Sequence, residues 1–364
     1  MNILHILASK SWGGGEQYVF DIGKKLIEKN HKVYFVSERS EIIKNKISNI
    51  SLDFILSHNL FDVFSIIKLF ILFKKYDIDV VHVHNFKSSI VTMFALFTYR
   101  KVYGKKNSKI KFIMTRHLVK EGKTNFLYNI LYKHLDKIIF VSKLAMDKFL
   151  STSPNININK LVVIHNSIPP LNCEQNTNKT NYRQKYNIGD DVILGYVGRL
   201  DKTKGVNILL NSLPGLTHTN YHLLIAGIGD DKQRLISIAN DLQLNKKITF
   251  LGFIEDTANL IEQIDIGIVP SIWQEPFGLV LLEYMRAKKA IITTDNGAQR
   301  EFLDDNTAEF IPPSNSELLT LKINDLINDK DRRLKLGNNA KKKFENKLNY
   351  NIFSEKIFDI YNEE

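Results

Sequence analysis

The sequence predicts an α/β protein made of two doubly wound domains in tandem. Three observations carry that expectation. Short apolar runs alternate with helical stretches from residue 2 onward; residues 166–191, rich in Asn, Pro, Thr and Gln, break the rhythm; and the same alternation restarts at Val192. With 364 residues and 44% hydrophobic content, the chain is long enough for two cores of ordinary size.

The first domain is expected over 1–170. It opens with a strand at 2–9, a glycine-rich turn at 11–15 and an amphipathic helix at about 16–28. Further strands are expected at 31–37, 52–56, 80–84, 110–115, 137–141 and 161–165, separated by helices around 63–75, 88–100, 125–134 and 144–150. Strands that alternate with helices pair in parallel, and the crossovers cover both faces of the sheet. A linker at 171–190 follows, its approach stiffened by Pro169-Pro170. The second domain, 191–345, reads as strands at 192–197, 221–226, 248–251, 266–270 and 290–294, with helices from about 206 and at 277–287. Residues 346–364 are expected to add an amphipathic terminal helix.

Composition narrows the setting. The single cysteine, Cys173, excludes an intramolecular disulfide and fits a reducing cytoplasm. The apolar run at 3–8 is too short for a signal peptide, and those at 63–73 and 90–97 fall well short of the roughly 20 residues that span a bilayer. A cytoplasmic protein without a spanning helix is therefore expected. Net charge is +11 but uneven: up to Thr180 there are 27 Lys+Arg against 13 Asp+Glu, or +14, leaving 23 against 26, or −3, for the remainder. Such asymmetry points to an anionic partner of the first half, either a phospholipid surface or nucleic acid.

The chemistry concentrates in residues 265–295, DIGIVPSIWQEPFGLVLLEYMRAKKAIITTD. Apolar runs at 266–270 and 290–294 flank a helix whose first turn suits Pro276, because its missing N–H would be orphaned there anyway. Starting the helix at 277 aims the N–H groups of Phe277, Gly278 and Leu279 at an anion site. Glu275 and Glu283 then lie too far apart to share a proton, about 9 Å counted from the helix start at 1.5 Å per residue. They suit the two ends of one hydroxyl-rich ligand, since a carboxylate accepts paired hydrogen bonds from a vicinal diol.

Other candidates sit at predicted carboxyl ends of strands, where α/β sheets bind ligands. G-R-L-D-K-T-K-G places Arg199 and Lys204 beside a helix start, two cations suited to a diphosphate, although no P-loop is present. Gly227, Gly229 and Gly252, followed by Phe253, allow backbone to approach a flat base. His117 follows the strand at 110–115, and His82 and His84 share one strand face as packing or acceptor-side residues. S-W-G-G-G-E lacks G-x-G-x-x-G spacing, so no nicotinamide cofactor is expected. Asp77-Ile78-Asp79 precedes its strand and faces the wrong end of the sheet for a metal site, and no spaced His/Cys cluster suggests zinc.

E-P-F-G-L-V-L-L-E resembles the Glu-x7-Glu element of the retaining GT4 glycosyltransferases, with Glu275 and Glu283 at its two ends. The resemblance extends in order along nearly the whole chain, from the glycine loop through His117 and Arg199/Lys204 to the terminal helix. It implies the GT-B fold: two Rossmann-like domains facing across a cleft, closing over the donor, with the terminal helix crossing back onto the first. It also implies roles. Glu275 and the following amides of Phe277, Gly278 and Leu279 hold the donor sugar, Glu283 the ribose diol, and Arg199 and Lys204 the pyrophosphate. His117 reaches the donor sugar, while Gly227, Gly229, Gly252 and Phe253 line the base. The loop resembles the family's glycine loop between donor and acceptor, giving Gly14 and Gly15 to the donor and Glu16 and His84 to the acceptor side.

Asn296-Gly297-Ala298 departs from the family's Gly-Gly, with Glu301 about where an acidic residue often sits. By resemblance the reaction is sugar transfer from a UDP- or GDP-sugar with retention and no obligatory metal or other cofactor. The implied acceptor is a glycan or lipid-linked intermediate of envelope polysaccharide such as capsule, O-antigen or lipopolysaccharide. The setting would then be peripheral, on the inner face of the cytoplasmic membrane, through Lys68, Lys74, Lys75, Arg100, Lys101, Lys105 and Lys106. Two alternatives remain at this level: another GT-B enzyme such as a nucleotide-sugar epimerase, and a non-catalytic basic adaptor for nucleic acid. The adaptor leaves the motifs of the second half without a purpose, so nucleic acid is not the expected partner.

Overall fold

The structure, a computed structural model, describes residues 1–7, 13–37, 62–104, 109–171 and 179–363. The predicted strand at 52–56, together with Cys173, Lys105 and Lys106, lies outside them. The chain divides into two compact units, the first formed by 1–166 with 351–364 and the second by 167–350. Each contains one six-stranded parallel sheet.

In the first unit the strands are β1 (Asn2–Leu7), β2 (Lys32–Ser37), β3 (Val80–Val83), β4 (Lys111–Arg116), β5 (Lys137–Phe140) and β6 (Leu161–Val163). Their order is β2-β1-β3-β4-β5-β6, so the chain reverses its direction across the sheet between β1 and β3. Polar caps set where the intervening helices begin. Asn85 Oδ1, Asn125 Oδ1 and Ser142 Oγ each accept the N–H three residues on, at 2.9, 3.2 and 3.2 Å, opening helices Phe86–Tyr103, Phe126–His134 and Lys143–Leu150. That is why the helix expected at 88 starts two residues earlier. The first helix, Gly14–Glu28, likewise takes Gly14 and Gly15 into its opening turn, where the sequence suggested a loop.

The terminal helix, Tyr350–Asn362, packs on this first unit. Lys111 Nζ donates to the carbonyls of Ile360 and Tyr361, both at 3.2 Å, and the Tyr361 hydroxyl lies 2.6 Å from His82 Nδ1. Capping its last carbonyls with a lysine also complements the negative end of the helix dipole.

The second unit holds β7 (Val192–Val197), β8 (Tyr221–Ala226), β9 (Ile248–Gly252), β10 (Ile266–Val269), β11 (Ala290–Thr294) and β12 (Glu309–Ile311). Read from the other edge, the order β12-β11-β10-β7-β8-β9 is the 3-2-1-4-5-6 arrangement of a Rossmann sheet, with its switch point between β7 and β10. Leu194, Leu223, Ile225, Ile266, Ile268 and Ile292, all essentially inaccessible, supply its core. Residues 179–191 are bound into this unit, because Arg183 donates to the carbonyls of Gly189 and Asp191 (2.8 Å each) and to Asp265 Oδ2 (3.0 Å).

Candidate active site

The candidate residues fall into two groups, one in each unit, and both groups sit at carboxyl ends of strands beside a switch point. In the second unit the loops after β7 and β10 are joined directly. The N–H of Ile272 donates to the Thr203 carbonyl at 2.8 Å, and Gly205 passes so close to Pro270 that a Cβ there would lie 1.9 Å from the Pro270 oxygen. Gly205 also has φ +69°, so both space and conformation exclude any other residue.

This junction puts Lys204 against Glu275. The Lys204 ammonium donates to Glu275 Oε1 at 2.5 Å, the Ser271 hydroxyl donates to the same oxygen at 2.7 Å, and Lys204 Nζ lies 5.1 Å from the Trp273 ring centroid. Glu275 is only 6% exposed and Lys204 is largely buried. Two residues assigned from sequence to different parts of one ligand are thus bonded partners. An ammonium has three donors, so Lys204 keeps two for a ligand while Glu275 fixes its direction. Arg199 differs: its side chain is exposed and makes a 3.4 Å ion pair to Asp201.

The helix after Glu275 corrects one expectation. It runs Leu279–Arg286, not from 277, because Gly278 adopts a left-handed conformation (φ +92°) that ends the preceding loop. The Phe277 ring is buried and stacks on Phe302 at 4.4 Å, so Phe277 is a packing residue and the first-turn amides begin at Leu279. Glu283, further along the helix, is half-buried and accepts from the Thr257 hydroxyl at 3.2 Å. Burial pushes its carboxyl above the usual range, opposed by Arg286 and by the Thr257 hydrogen bond. Thr257 opens the helix that follows β9, so Glu283 sits beside the strand end that carries Gly252 and Phe253.

Of the three glycines assigned to a base, two are used for packing. A Cβ on Gly227 would meet the Gly198 oxygen at 1.8 Å, and one on Gly229 the Leu200 oxygen at 2.1 Å. These contacts fasten the loop after β8 to the loop after β7. Gly252, with φ +74° and open space around it, is followed by an exposed Phe253 and is the position left facing outward. Gly297 packs too, with a Cβ there falling 2.6 Å from the Glu275 backbone nitrogen.

In the first unit His117 is half-buried just beyond β4. Its Nε2 is 3.2 Å from His84 Nδ1, the Tyr18 ring meets it edge-on at 4.9 Å, and Gly15 packs against its Cγ–Cδ2 edge, where a Cβ would sit 3.7 Å from Cγ. His84 Nε2 is 3.1 Å from His5 Nδ1, while His82 is held by Tyr361 at 2.6 Å and by the Thr115 hydroxyl at 2.7 Å. Burial lowers all four imidazoles, His117 to about 4 and His5 to about 3, so the cluster is neutral near pH 7. Gly14 and Glu16 stand in the first turn of helix Gly14–Glu28. Asp79 receives the Asn2 N–H at 2.7 Å at the opposite end of the sheet.

Sequence reasoning missed His5, Ser271, Trp273 and Thr257. His5 had a signal: it is a polar residue inside an apolar strand, and the parallel register sets it opposite His82. Ser271 and Trp273 had only their nearness to Glu275, and Thr257 had none.

A family model described as glycosyl transferases group 1 matches residues 178–343, and one described as Glycosyltransferase Family 4 matches residues 12–170. The chain belongs to this family of glycosyltransferases, and its fold is GT-B. It is 26% identical over 380 aligned positions to the O-antigen biosynthesis glycosyltransferase WclY of Escherichia coli, covering 100% of this chain and 98% of that one. To an uncharacterized glycosyltransferase of Methanocaldococcus jannaschii it is 30% identical over 233 residues, 62% of this chain and 59% of that protein. HepE of Anabaena, solved in complex with UDP and glucose, superposes with a TM-score of 0.83 at 19% identity, covering 99% and 98% of the two chains.

Proposed function

We propose that the chain transfers a sugar from a nucleoside diphosphate sugar, with retention and without an obligatory metal, to a glycan or lipid-linked acceptor of an envelope polysaccharide. The observation that carries the reading is the Lys204–Glu275 pair clamped at the β7/β10 switch point by Gly205. As the glycosidic bond breaks, the departing diphosphate gains negative charge. Lys204 and the first-turn amides beginning at Leu279 are fixed in advance and, with the more exposed Arg199, stabilise that charge more in the transition state than in the ground state. Glu275, bonded to Lys204, accepts from sugar hydroxyls with its remaining lone pairs. Glu283 takes the ribose diol, and Phe253 stacks on the base beyond Gly252. Within the first unit, His117, with Gly15 beside it, is the candidate contact for a sugar oxygen, and Glu16 the candidate for the acceptor.

The envelope setting is supported by WclY, an O-antigen enzyme, and UDP is the nucleotide to try first because HepE binds it. A thermal-shift panel of UDP-, GDP- and ADP-sugars identifies the donor, since a ligand of the native state raises the unfolding midpoint. Transfer to a glycan acceptor in the presence of EDTA, with the product anomer read by NMR, then tests metal independence and retention. Isomerised donor without transfer would instead favour an epimerase.

We also propose peripheral membrane association through the first unit. Among the described residues no helix is long and apolar enough to cross a membrane. Helix Val63–Lys75 instead exposes Val63, Phe64, Ile67 and Ile71 beside Lys68, Lys74 and Lys75, and helix Phe86–Tyr103 exposes Phe97 and Val102 beside Lys101. Apolar side chains among cations suit an anionic lipid interface. Arg100 is not part of that surface, because its guanidinium donates to the Ile110 carbonyl at 2.8 Å.

A further inference from the structure

The four clustered histidines of the first unit, His5, His82, His84 and His117, divide into two arrangements. His82 is closed off, with a hydroxyl at each nitrogen. The other three form a line: His5 Nδ1 to His84 Nε2 at 3.1 Å, then His84 Nδ1 to His117 Nε2 at 3.2 Å. At the inner end His5 Nε2 is buried with no hydrogen-bond partner among the described residues. At the outer end Gly15 covers the Cγ–Cδ2 edge of His117, which turns the Nδ1 edge away from the glycine.

A neutral imidazole carries one N–H and one bare nitrogen, and each contact in the line needs one of each. Only two consistent arrangements exist. In one, His117 donates inward to His84 and His84 to His5, which leaves an N–H on His5 Nε2 buried without an acceptor. In the other, His5 donates outward through Nδ1 and His84 donates through Nδ1 to His117 Nε2, leaving only a bare lone pair at the inner end. Orphaned buried N–H groups are the rarer defect, so the outward arrangement is favoured. It also settles His117, whose single proton must then sit on Nδ1.

We propose that His5 and His84 are positioning residues that hold His117 in its Nδ1–H tautomer, so that the ring presents a hydrogen-bond donor, and no acceptor, to the ligand. The proposal rests on the reading that His117 meets the donor sugar. It deepens that reading by assigning the chemistry of the contact: the group facing His117 is a hydroxyl or other oxygen that accepts. An imidazole that offered a bare nitrogen would instead favour a hydroxyl that donates, and would be poised to draw a proton from the acceptor. The relay therefore excludes His117 as a general base and makes it a fixed donor for orientation. His82 is not a member, but Thr115, two residues before His117, ties it to the same strand end.

Two members of the line, His5 and His84, together with His82 place nitrogen atoms within 4.8 Å of one another, so a bound metal is the competing explanation. A metal would have to take the His84 lone pair that the line uses, and at His82 would displace a hydroxyl partner. The hydrogen-bonded arrangement leaves a single nitrogen unsatisfied and requires no ion.

The test is two-bond proton–nitrogen NMR on the full chain carrying nitrogen-15 histidine, near pH 7.5, with His117 assigned by His117→Ala. The expected result is a His117 protonated on Nδ1 and bare on Nε2. His84→Gln, whose amide can donate to His117 and accept from His5, should keep that state. His84→Leu should shift His117 toward the other tautomer and raise the donor KM several-fold with a smaller change in kcat, an effect absent in His84→Gln. If the leucine variant does not fold, His5→Phe removes the inner donor and should shift the tautomer in the same direction. A His117 protonated on Nε2 in the unaltered protein overturns the proposal, as does an unchanged tautomer in folded His84→Leu. Stoichiometric zinc on the purified chain, with metal-shifted imidazole resonances, also overturns it. If His117→Ala leaves donor binding intact while the tautomer results hold, it is the sugar contact that fails, not the relay.

Discussion

The two units share a doubly wound plan but handle charge at their switch points in opposite ways. In the first, buried imidazoles face one another and are kept neutral by desolvation. In the second, a nearly buried carboxylate is paired with an ammonium and a hydroxyl at hydrogen-bond distance. A neutral cluster tolerates a sugar and presents directional hydrogen bonds. A compensated ion pair can redirect its cation toward a diphosphate at little cost in reorganisation. One fold thus supplies two kinds of recognition, and the distinction lies in which residue types end the strands, not in the topology.

The largest effect should come from breaking the charged half. Lys204→Ala removes the cation proposed to meet the leaving diphosphate and should lower kcat by ~10²–10³-fold. It also leaves Glu275 buried with only the Ser271 hydroxyl, which costs on the order of 3 kcal/mol of stability by urea unfolding. If the combined Lys204→Ala/Glu275→Gln variant regains that stability without regaining kcat, the two roles separate as described.

Acid should break the neutral half first. Unfolded histidines titrate near pH 6.5, whereas His5 and His117 are lowered to about 3 and about 4, with His82 and His84 also well below 6.5 because of burial. Between about pH 6.5 and 4 the unfolded chain therefore binds more protons than the folded one, and stability falls with pH. The loss approaches about 1.4 kcal/mol per pH unit for each such histidine, and none arises above the unfolded value. In the second unit His222 is also lowered, again by burial. Asp231, lowered by its Arg234 hydrogen bond, and Asp304, whose burial is outweighed by Lys343, lose their contributions only below about pH 4. Hydrogen exchange at pH 7 and pH 5 should show protection lost sooner in β1 and β3 than in β7 and β10. Equal loss in both would remove the contrast.

A smaller effect sharpens the contrast within the second unit. Burial raises the Glu283 carboxyl, so ionising it costs the folded chain some stability. Glu283→Gln should raise the melting temperature of the ligand-free protein slightly while weakening nucleoside binding by roughly 1.5–3 kcal/mol. Smallest should be the lipid effect. Sedimentation with vesicles containing phosphatidylserine should retain the chain at low salt and lose it at high salt, and Phe64→Ser or Lys68→Glu should weaken retention. A chain left in the supernatant at low salt would contradict a membrane role.

How much of this was legible in the sequence differs between the halves as well. Apolar periodicity and the break near 166–191 gave the strand–helix alternation of the first unit and five strands of the second, but not the edge strand Glu309–Ile311 or the helices Lys232–Asp241, Thr257–Gln263, Ser316–Asn328 and Lys330–Lys347. Lys204, Glu275 and Glu283 could be singled out as candidates because the second-unit motifs are contiguous: two cations in the loop after β7 and two carboxylates on one short segment. Their pairing was not, because it depends on β7 and β10 being neighbours, a fact of sheet order that spacing does not encode. The glycines are ambiguous for a related reason: one that lets a base approach and one that lets another loop approach look the same in sequence, and Gly227 and Gly229 pack against a neighbouring loop. The line from His5 to His117 joins residues more than 110 positions apart, so only the register of three parallel strands could reveal it.

The central claim is that Lys204 marks the diphosphate end of the donor and Glu283 its nucleoside end. The direct measurement is calorimetric titration of UDP and uridine, or of the nucleotide the donor panel selects, against the unaltered chain, Lys204→Ala and Glu283→Ala. The account predicts that Lys204→Ala loses affinity for the diphosphate, by about tenfold or more at 1.5–3 kcal/mol for a charged contact, and keeps its affinity for the nucleoside. Glu283→Ala should lose affinity for both by the same factor. Nucleoside binding that weakens in Lys204→Ala, or stays intact in Glu283→Ala, would contradict the assignment.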